Sequence, residues 1–365
     1  MELLISTVVA FLVTALALPF TIILAKRFGL IDDPKLRPHP AHTQHRVVPR
    51  AGGLAIYFGI LTAALIFLPM EKHLLGIILG ITILIITGII DDKVLNFNPY
   101  ARLALLFLAA GVAVGSGIGI SFITNPLAGL QNLPLWLSDS VIRLDGIIIP
   151  FDFLGPHKLI LLADLFALFW IVTLTQVINW SKGVDGQMPG ITAVASIILG
   201  LLSIKLFYQG DPNQLNIARL AFITTGASLA FLVFNWHPAK IFPGFSGSTI
   251  LAFMLAVVSI LSGAKIATAL LVLAIPAADF VYTFVRRISK GQSPVLGDRG
   301  HLHHRLLNLG WSHQQISLFY ILGSAMLGAT ALLASTEVKI LVAILAGAAF
   351  LGFILWVSKA SLRAN

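Results

Sequence analysis

This sequence predicts an all-α polytopic membrane protein of about eleven transmembrane helices, and three observations carry that expectation. Of 365 residues, 58% are hydrophobic and only 11% are charged, whereas a soluble domain carries about a quarter. The mean hydropathy is +0.94, and the apolar excess runs through the whole length. Basic residues gather in loops that follow alternate apolar runs, as cytosolic anchors do. The chain has no cysteine, which excludes a disulfide framework and a thiolate metal site. Its net charge of +9 then belongs to membrane anchoring and to an anionic ligand or head group, and no nucleic-acid partner is expected.

A span needs about 20 mostly apolar residues. Spans are expected at 2–24, 52–69, 74–90, 101–120, 158–178, 189–207, 217–234, 248–263, 266–284, 316–334 and 338–357. The run 2–24 lacks a small-residue cleavage site and reads as a retained first helix, not a signal peptide. Lys26, Arg27, Lys35, Arg37, Arg46 and Arg50 follow the first span; Arg286, Arg287, Lys290, Arg299 and Arg305 follow the ninth. Lys359 and Arg363 follow the eleventh. All share one side, so the N-terminus is expected outside and the C-terminus in the cytosol. That orientation sends every motif-like polar loop to the cytosolic face. The one long outer segment, 121–157, is expected to hold a small β-hairpin turning at Asp145-Gly146. The chain reads as one membrane domain, 1–365, with 121–157 an outer-face insertion and 285–315 a cytosolic His-rich loop. Localisation to the cytoplasmic membrane follows.

Asp91 and Asp92 end the apolar run ILGITILIITGIIDD. Two adjacent carboxylates at the mouth of a membrane helix each cost several kcal/mol unless a cation or hydrogen bonds compensate them. A cation-assisted reaction at the membrane surface is the first expectation. DRGHLHHR carries His301, His303 and His304 among Asp298, Arg299 and Arg305. Its imidazoles suit metal binding, acid–base work or donation to phosphate, and the arginines favour phosphate. NWSKGVDGQMPG offers Asn179, Lys182 and Asp185 between tight turns at Gly183 and Gly186, a ligand loop more than a linker. NWHPAKIFPGFSGST holds Asn235, His237, Phe242, Ser246 and Ser248. Its small-residue turn could present backbone N–H groups to an anion, or merely cap a helix. Asp33, Arg37, His45 and Arg50 could wall a phosphate pocket. Asp279, after Pro276 within the ninth span, reads either as functional or as a structural partner of Arg286.

Together these residues resemble glycosyltransferase family 4, the polyprenyl-phosphate N-acetylhexosamine-1-phosphate transferases, over roughly 25–310. The resemblance is carried by Asp33-Pro34, Arg37, Pro49-Arg50 and Gly52-Gly53; by Gly88, Asp91-Asp92, Pro99 and Arg102; and by the run from Asp298 to Arg305. It implies that a polyprenyl phosphate attacks the sugar-proximal phosphorus of a nucleotide sugar, a UDP-sugar in the usual case, with Mg2+ or Mn2+ bridging the pyrophosphate. UMP leaves, and the product belongs to cell-envelope glycan synthesis, as in peptidoglycan or lipopolysaccharide. By the same resemblance Asp91, Asp92, Asp185, His301, His303 and His304 are the catalytic candidates, with Asp185 and Asp92 as metal ligands. Substrate contacts are expected from Arg37, Arg50, Arg102, Asn179, Lys182, Asn235, Phe242, Arg299 and Arg305. The partners are the lipid phosphate, the nucleotide sugar, the membrane and, as an option, a second copy in a homodimer.

Two departures from the family pattern stand out. Lys182 and Met188 occupy the places of a second Asn and a second Asp in N-x-x-N-x-x-D-G-x-D-G. Phe245 replaces the Asp of G-D-x-G-S, a metal ligand in the family, and a phenyl ring cannot coordinate a hard cation. Either Lys182 supplies the charge an ion would otherwise bring, or the chain is a catalytically impaired homologue, or a transporter, that binds lipid phosphate or nucleotide.

Overall fold

The computed structural model describes residues 1–35, 43, 46–125, 141–152, 156–263, 266–293 and 299–364. Thirteen helices in these residues are α1 (Glu2–Arg27), α2 (Gly53–Phe67), α3 (Lys72–Lys93), α4 (Pro99–Gly115), α5 (Leu161–Trp180), α6 (Gln187–Tyr208), α7 (Gln214–Asn235), α8 (Gly244–Leu261), α9 (Ile266–Val272), α10 (Ala274–Ser289), α11 (Leu302–Asn308), α12 (His313–Leu333) and α13 (Thr336–Ala364). Helices are the expected solution, because hydrocarbon offers no partner for an unpaired backbone group. Buried hydroxyls are satisfied the same way: those of Thr21, Thr87, Thr192, Ser196, Thr224 and Thr225 each donate to a carbonyl four residues back.

Each expected span falls on helix, but the count of eleven is not reached by length. Among the described residues, eight helices are long and apolar enough to cross a membrane. A further apolar pair, α9 and α10, meets at 85°, as one broken span or a re-entrant loop. Pro276 supplies the reason, since proline is tolerated in a first helical turn and not in an interior, so α10 begins just ahead of it. The helices α2 and α4 are apolar but shorter, 15 and 17 residues.

Helix α1 is set small-side inward. In α1 the buried positions are Ser6, Ala10, Thr14, Leu18, Thr21 and Ala25, while Leu12, Leu16, Phe20 and Ile23 are exposed. That pattern suits a lipid-facing helix whose small residues let neighbours approach. Here the neighbours are α2 and α7. At the centre stands α8, buried from Gly244 to Ile260 and packed by α2, α3, α5, α6 and α7.

The segment 121–157 contains antiparallel strands, but none turns at Asp145-Gly146. β3 (Phe122–Thr124) pairs antiparallel with β4 (Val141–Arg143), and β5 (Ile148–Asp152) with β6 (Pro156–Ile160). Asp145-Gly146 therefore links two ladders instead of turning one. A shorter ladder, β1 (Ile31–Asp32) with β2 (Val48–Pro49), leads the chain from α1 into α2. Near the start of α5, Asp164 accepts from the Ile160 N–H at 2.8 Å, so it steadies the helix start.

Candidate active site

The acid doublet closes α3. Successive helical residues point about 100° apart, so the two carboxylates reach different neighbours. Asp92 is fully buried. Its Oδ1 accepts from Arg50 Nε at 2.9 Å and from the Phe245 N–H at 3.0 Å; its Oδ2 accepts from Ser246 Oγ at 3.1 Å. The first turn of α8 thus binds an anion, as its small-residue sequence suggested, but that anion is the protein's own Asp92. Asp91 faces Arg102 Nε at 2.5 Å and Arg50 Nη2 at 3.7 Å. Arg50 also lies 3.7 Å from Asp32. Three carboxylates thus share two guanidiniums.

Local sequence makes this close approach feasible. Gly88 lies one turn before Asp92, and a Cβ there would overlap the backbone and side chain of Ser246. Gly244 has φ +67°, and a Cβ on it would strike the Asp92 carboxylate. Asn98 caps α4 by accepting from the Tyr100 N–H, Pro99 opens the helix, and Arg102 sits one turn in, aimed back at Asp91.

The loop between α5 and α6 meets this cluster through Lys182. Its Nζ donates to Asn179 Oδ1 at 2.7 Å, to Ser248 Oγ at 3.1 Å and to the Gly244 carbonyl at 3.2 Å. It lies 5.7 Å from the Phe245 ring centre, and the Arg102 guanidinium lies 5.8 Å from the same ring. Burial pushes the Lys182 ammonium down to about 7, and the Arg50 charge adds to that; Asp92 and Asp91 oppose it. Met188, by contrast, is buried in the bundle core.

Three residues on, Asp185 Oδ2 meets His237 Nδ1 at 2.8 Å, the Ala239 N–H at 3.0 Å and Arg46 at 3.4 Å. Its backbone N–H points to His313 Nδ1 at 3.4 Å, and its carbonyl accepts from Ser317 Oγ at 2.6 Å. His237 is named in NWHPAKIFPGFSGST without a catalytic or binding role, and His313, at the start of α12, carries no motif at all.

The histidine run folds onto the same loop. His301 Nδ1 pairs with Asp279 Oδ2 at 2.9 Å, and the Leu302 N–H donates to Asp279 Oδ1 at 2.8 Å. His301, not Arg286, is therefore the side-chain partner of Asp279 in this geometry. His301 stacks parallel to His303 at 5.4 Å, and His303 lies 4.3 Å from His304. The His303 ring rests against Gly183. Burial pushes His303 well below the usual imidazole range, helped by His304, His301 and His313, so it is neutral near pH 7. Trp180 contacts both His301 and the Arg287 guanidinium.

Other expected contacts resolve differently. Asn235 accepts from the Gly186 N–H at 3.0 Å and donates to the Ile241 carbonyl at 2.9 Å. Its amide therefore holds two backbone segments together. Phe242 enters through its backbone, which pairs with Pro49 and Gly52. Arg305 lies over the Tyr282 ring at 4.7 Å. Arg299 is exposed. Arg37, His45 and Asp298 lie outside the described residues.

A divalent cation of the Mg2+ type does not fit beside Asp92. Such an ion wants several oxygen ligands at about 2.1 Å. Both Asp92 oxygens already accept protein donors, Phe245 offers no donor atom, and the oxygens of Asn179, Gly244 and Ser248 surround an ammonium.

The sequence model of glycosyl transferase family 4 matches residues 74–263. A probable undecaprenyl-phosphate N-acetylglucosaminyl 1-phosphate transferase of Bacillus subtilis is 28% identical over 337 residues, covering 88% of this chain and 83% of the relative. A decaprenyl-phosphate N-acetylglucosaminephosphotransferase of Mycolicibacterium smegmatis is 28% identical over 341 residues, 86% of this chain and 77% of its own. An undecaprenyl-phosphate alpha-N-acetylglucosaminyl 1-phosphate transferase of Escherichia coli K12 is 25% identical over 339 residues, 89% and 82%. The family match spans the acid doublet, the Lys182 loop and the Phe245 turn, and so the chain belongs to glycosyl transferase family 4, an integral membrane transferase of the glycosyl-1-phosphate class.

Proposed function

We propose that the protein transfers a sugar 1-phosphate, N-acetylglucosamine 1-phosphate in the first instance, from a UDP-sugar to a polyprenyl phosphate in the cytoplasmic membrane. One observation carries this reading: acids, guanidiniums, an ammonium and imidazoles from five distant segments meet at one end of the bundle, linked through Asp92, Phe245, Lys182 and Gly183 to His303. Substrates that are both anionic need such a rim. A lipid phosphate oxygen attacks the sugar-proximal phosphorus, the bridging P–O bond breaks, and its oxygen leaves with UMP. Arg50, Arg102 and Lys182 supply positive charge where charge develops. The carboxylates of Asp91 and Asp92 orient those cations, and neutral His303 can donate to a phosphoryl oxygen. The cell-envelope role and the cytosolic placement of this rim belong to the same proposal.

The test is a purified protein assayed with polyprenyl phosphate and a panel of radiolabelled UDP-sugars, with and without Mg2+. Lipid-linked product from one sugar, lost in Asp92→Asn, is the expected result. A second reading, silent binding of lipid phosphate or nucleotide, is favoured by the closed oxygen cage around Lys182. Retained binding with no product from any sugar would establish it.

A further inference from the structure

We infer that Asp185, His237 and His313 form a binding site for a borderline transition-metal ion, of the Zn2+ or Co2+ type, separate from the acid doublet. The three residues come from the α5–α6 loop, the turn after α7 and the first turn of α12. One ligand atom from each lies within 4.8 Å of the others. Two imidazoles with one carboxylate form a donor set suited to such ions and poorly suited to Mg2+. The 2.8 Å between His237 Nδ1 and Asp185 Oδ2 fits two neighbouring ligands on an ion about 2.1 Å from each.

The surroundings are those of a held site. Asp185 is fixed by the Ala239 N–H on its carboxylate and by Ser317 on its carbonyl, as outer partners fix ligands in metal centres. The capping box of Ser312 and Gln315 sets the first turn of α12, where His313 stands. His237 and His313 stack at 4.6 Å, so both rings are confined beside Asp185. The side chain of His237 is 39% exposed, which leaves an approach from solvent and room for water ligands. Arg46 lies 3.4 Å from Asp185 and is 42% exposed. It is the natural charge competitor, and it can swing away without leaving a buried cation.

The experiment uses full-length protein in detergent, stripped with EDTA and titrated with Co2+ while visible d–d absorption is followed. One Co2+ per chain, displaced by Zn2+, is expected. His237→Ala and His313→Ala should each weaken binding by about ten- to a hundredfold, with His73→Ala, on the far end of α3, unchanged. Arg46→Gln should tighten it, and this variant removes no ligand, so it remains informative if a histidine variant misfolds. Absence of a Co2+ band, binding that survives both histidine variants, or indifference to Arg46→Gln overturns the site. These readouts need no turnover, so they stand apart from the fate of the transferase reading.

Discussion

Lys182 and Phe245 depart from the family pattern that the sequence resembles, which expects an amide and a carboxylate there, and the two side chains lie against each other. On the proposed reading, the pair sets a charge that titrates where the family pattern has a metal ligand. Lys182 is held near 7 by burial first and by Arg50 second. In an unfolded chain it would hold its proton to about 10.4. Between those limits the unfolded state binds the extra proton, so this group makes the fold more stable as pH rises through that window, and the full penalty applies below it. Function runs the other way. The site loses positive charge as pH climbs past 7, so affinity for an anionic substrate should fall from neutral pH upward. Lys182→Met should flatten that profile. A KM that is insensitive to pH in the parent protein would remove Lys182 from the charge balance. The partner test is at Phe245. An aspartate there would be captured by Lys182, so the informative change is Lys182→Asn combined with Phe245→Asp. That pair should gain a rate dependence on Mg2+, read by titrating the ion in the transfer assay; an unchanged metal response means the ammonium does not stand in for an ion.

Helix ends, more than helix bodies, build this site. The C-terminal turn of α3, the N-terminal turns of α4, α8 and α12, and the α5–α6 loop supply nearly every polar contact described. Gly88 is where that design is most exposed. A methyl group there would press on the first turn of α8, and overpacking costs typically 1–3 kcal/mol. Gly88→Ala should therefore lower the melting temperature and weaken the hold of α8 on Asp92, visible as reduced transfer with folded protein remaining. Normal stability in this variant would mean that α3 and α8 can slide apart freely. These element-scale features were partly legible in the chain. Hydropathy located the helices, because twenty apolar residues have few other fates. The acid doublet was legible because its cost demands partners, but which partners it took was not. Nothing in PGFSGST says that its N–H groups serve Asp92 rather than a substrate. The Asp279–His301 pair joins residues 22 apart across a break in the helical pattern, and residue spacing alone cannot bring them together. The same holds for His313, which lies 128 residues from Asp185. The turn at Asp145-Gly146 was misplaced because the Asp-Gly signal reports a turn, not which strands flank it in space.

At the scale of the whole molecule, the bundle separates two surfaces with opposite demands. Large apolar side chains such as Leu12, Phe20, Leu322 and Met326 lie outside, while hydroxyls and small residues line the helix contacts. The acid doublet, Arg50, Arg102, Lys182 and His303 meet at one end, and the strand-bearing segment with Arg143 and Asp145 connects α4 to α5 at their other ends. A nucleotide sugar cannot cross a bilayer unaided, so the charged end must face the compartment that holds it. The distribution of basic residues leads us to expect that end in the cytosol. The absence of cysteine makes this directly measurable, since one introduced thiol is the sole label. Arg143→Cys and Lys290→Cys are both at exposed positions and lie outside the candidate active site. A membrane-impermeant maleimide added to intact cells should label the first and spare the second until the cells are permeabilised. The reverse pattern would put the acid doublet and histidines outside, away from any cytosolic nucleotide sugar. The transfer proposed above would then lack its donor, whatever the geometry of the residues that would perform it.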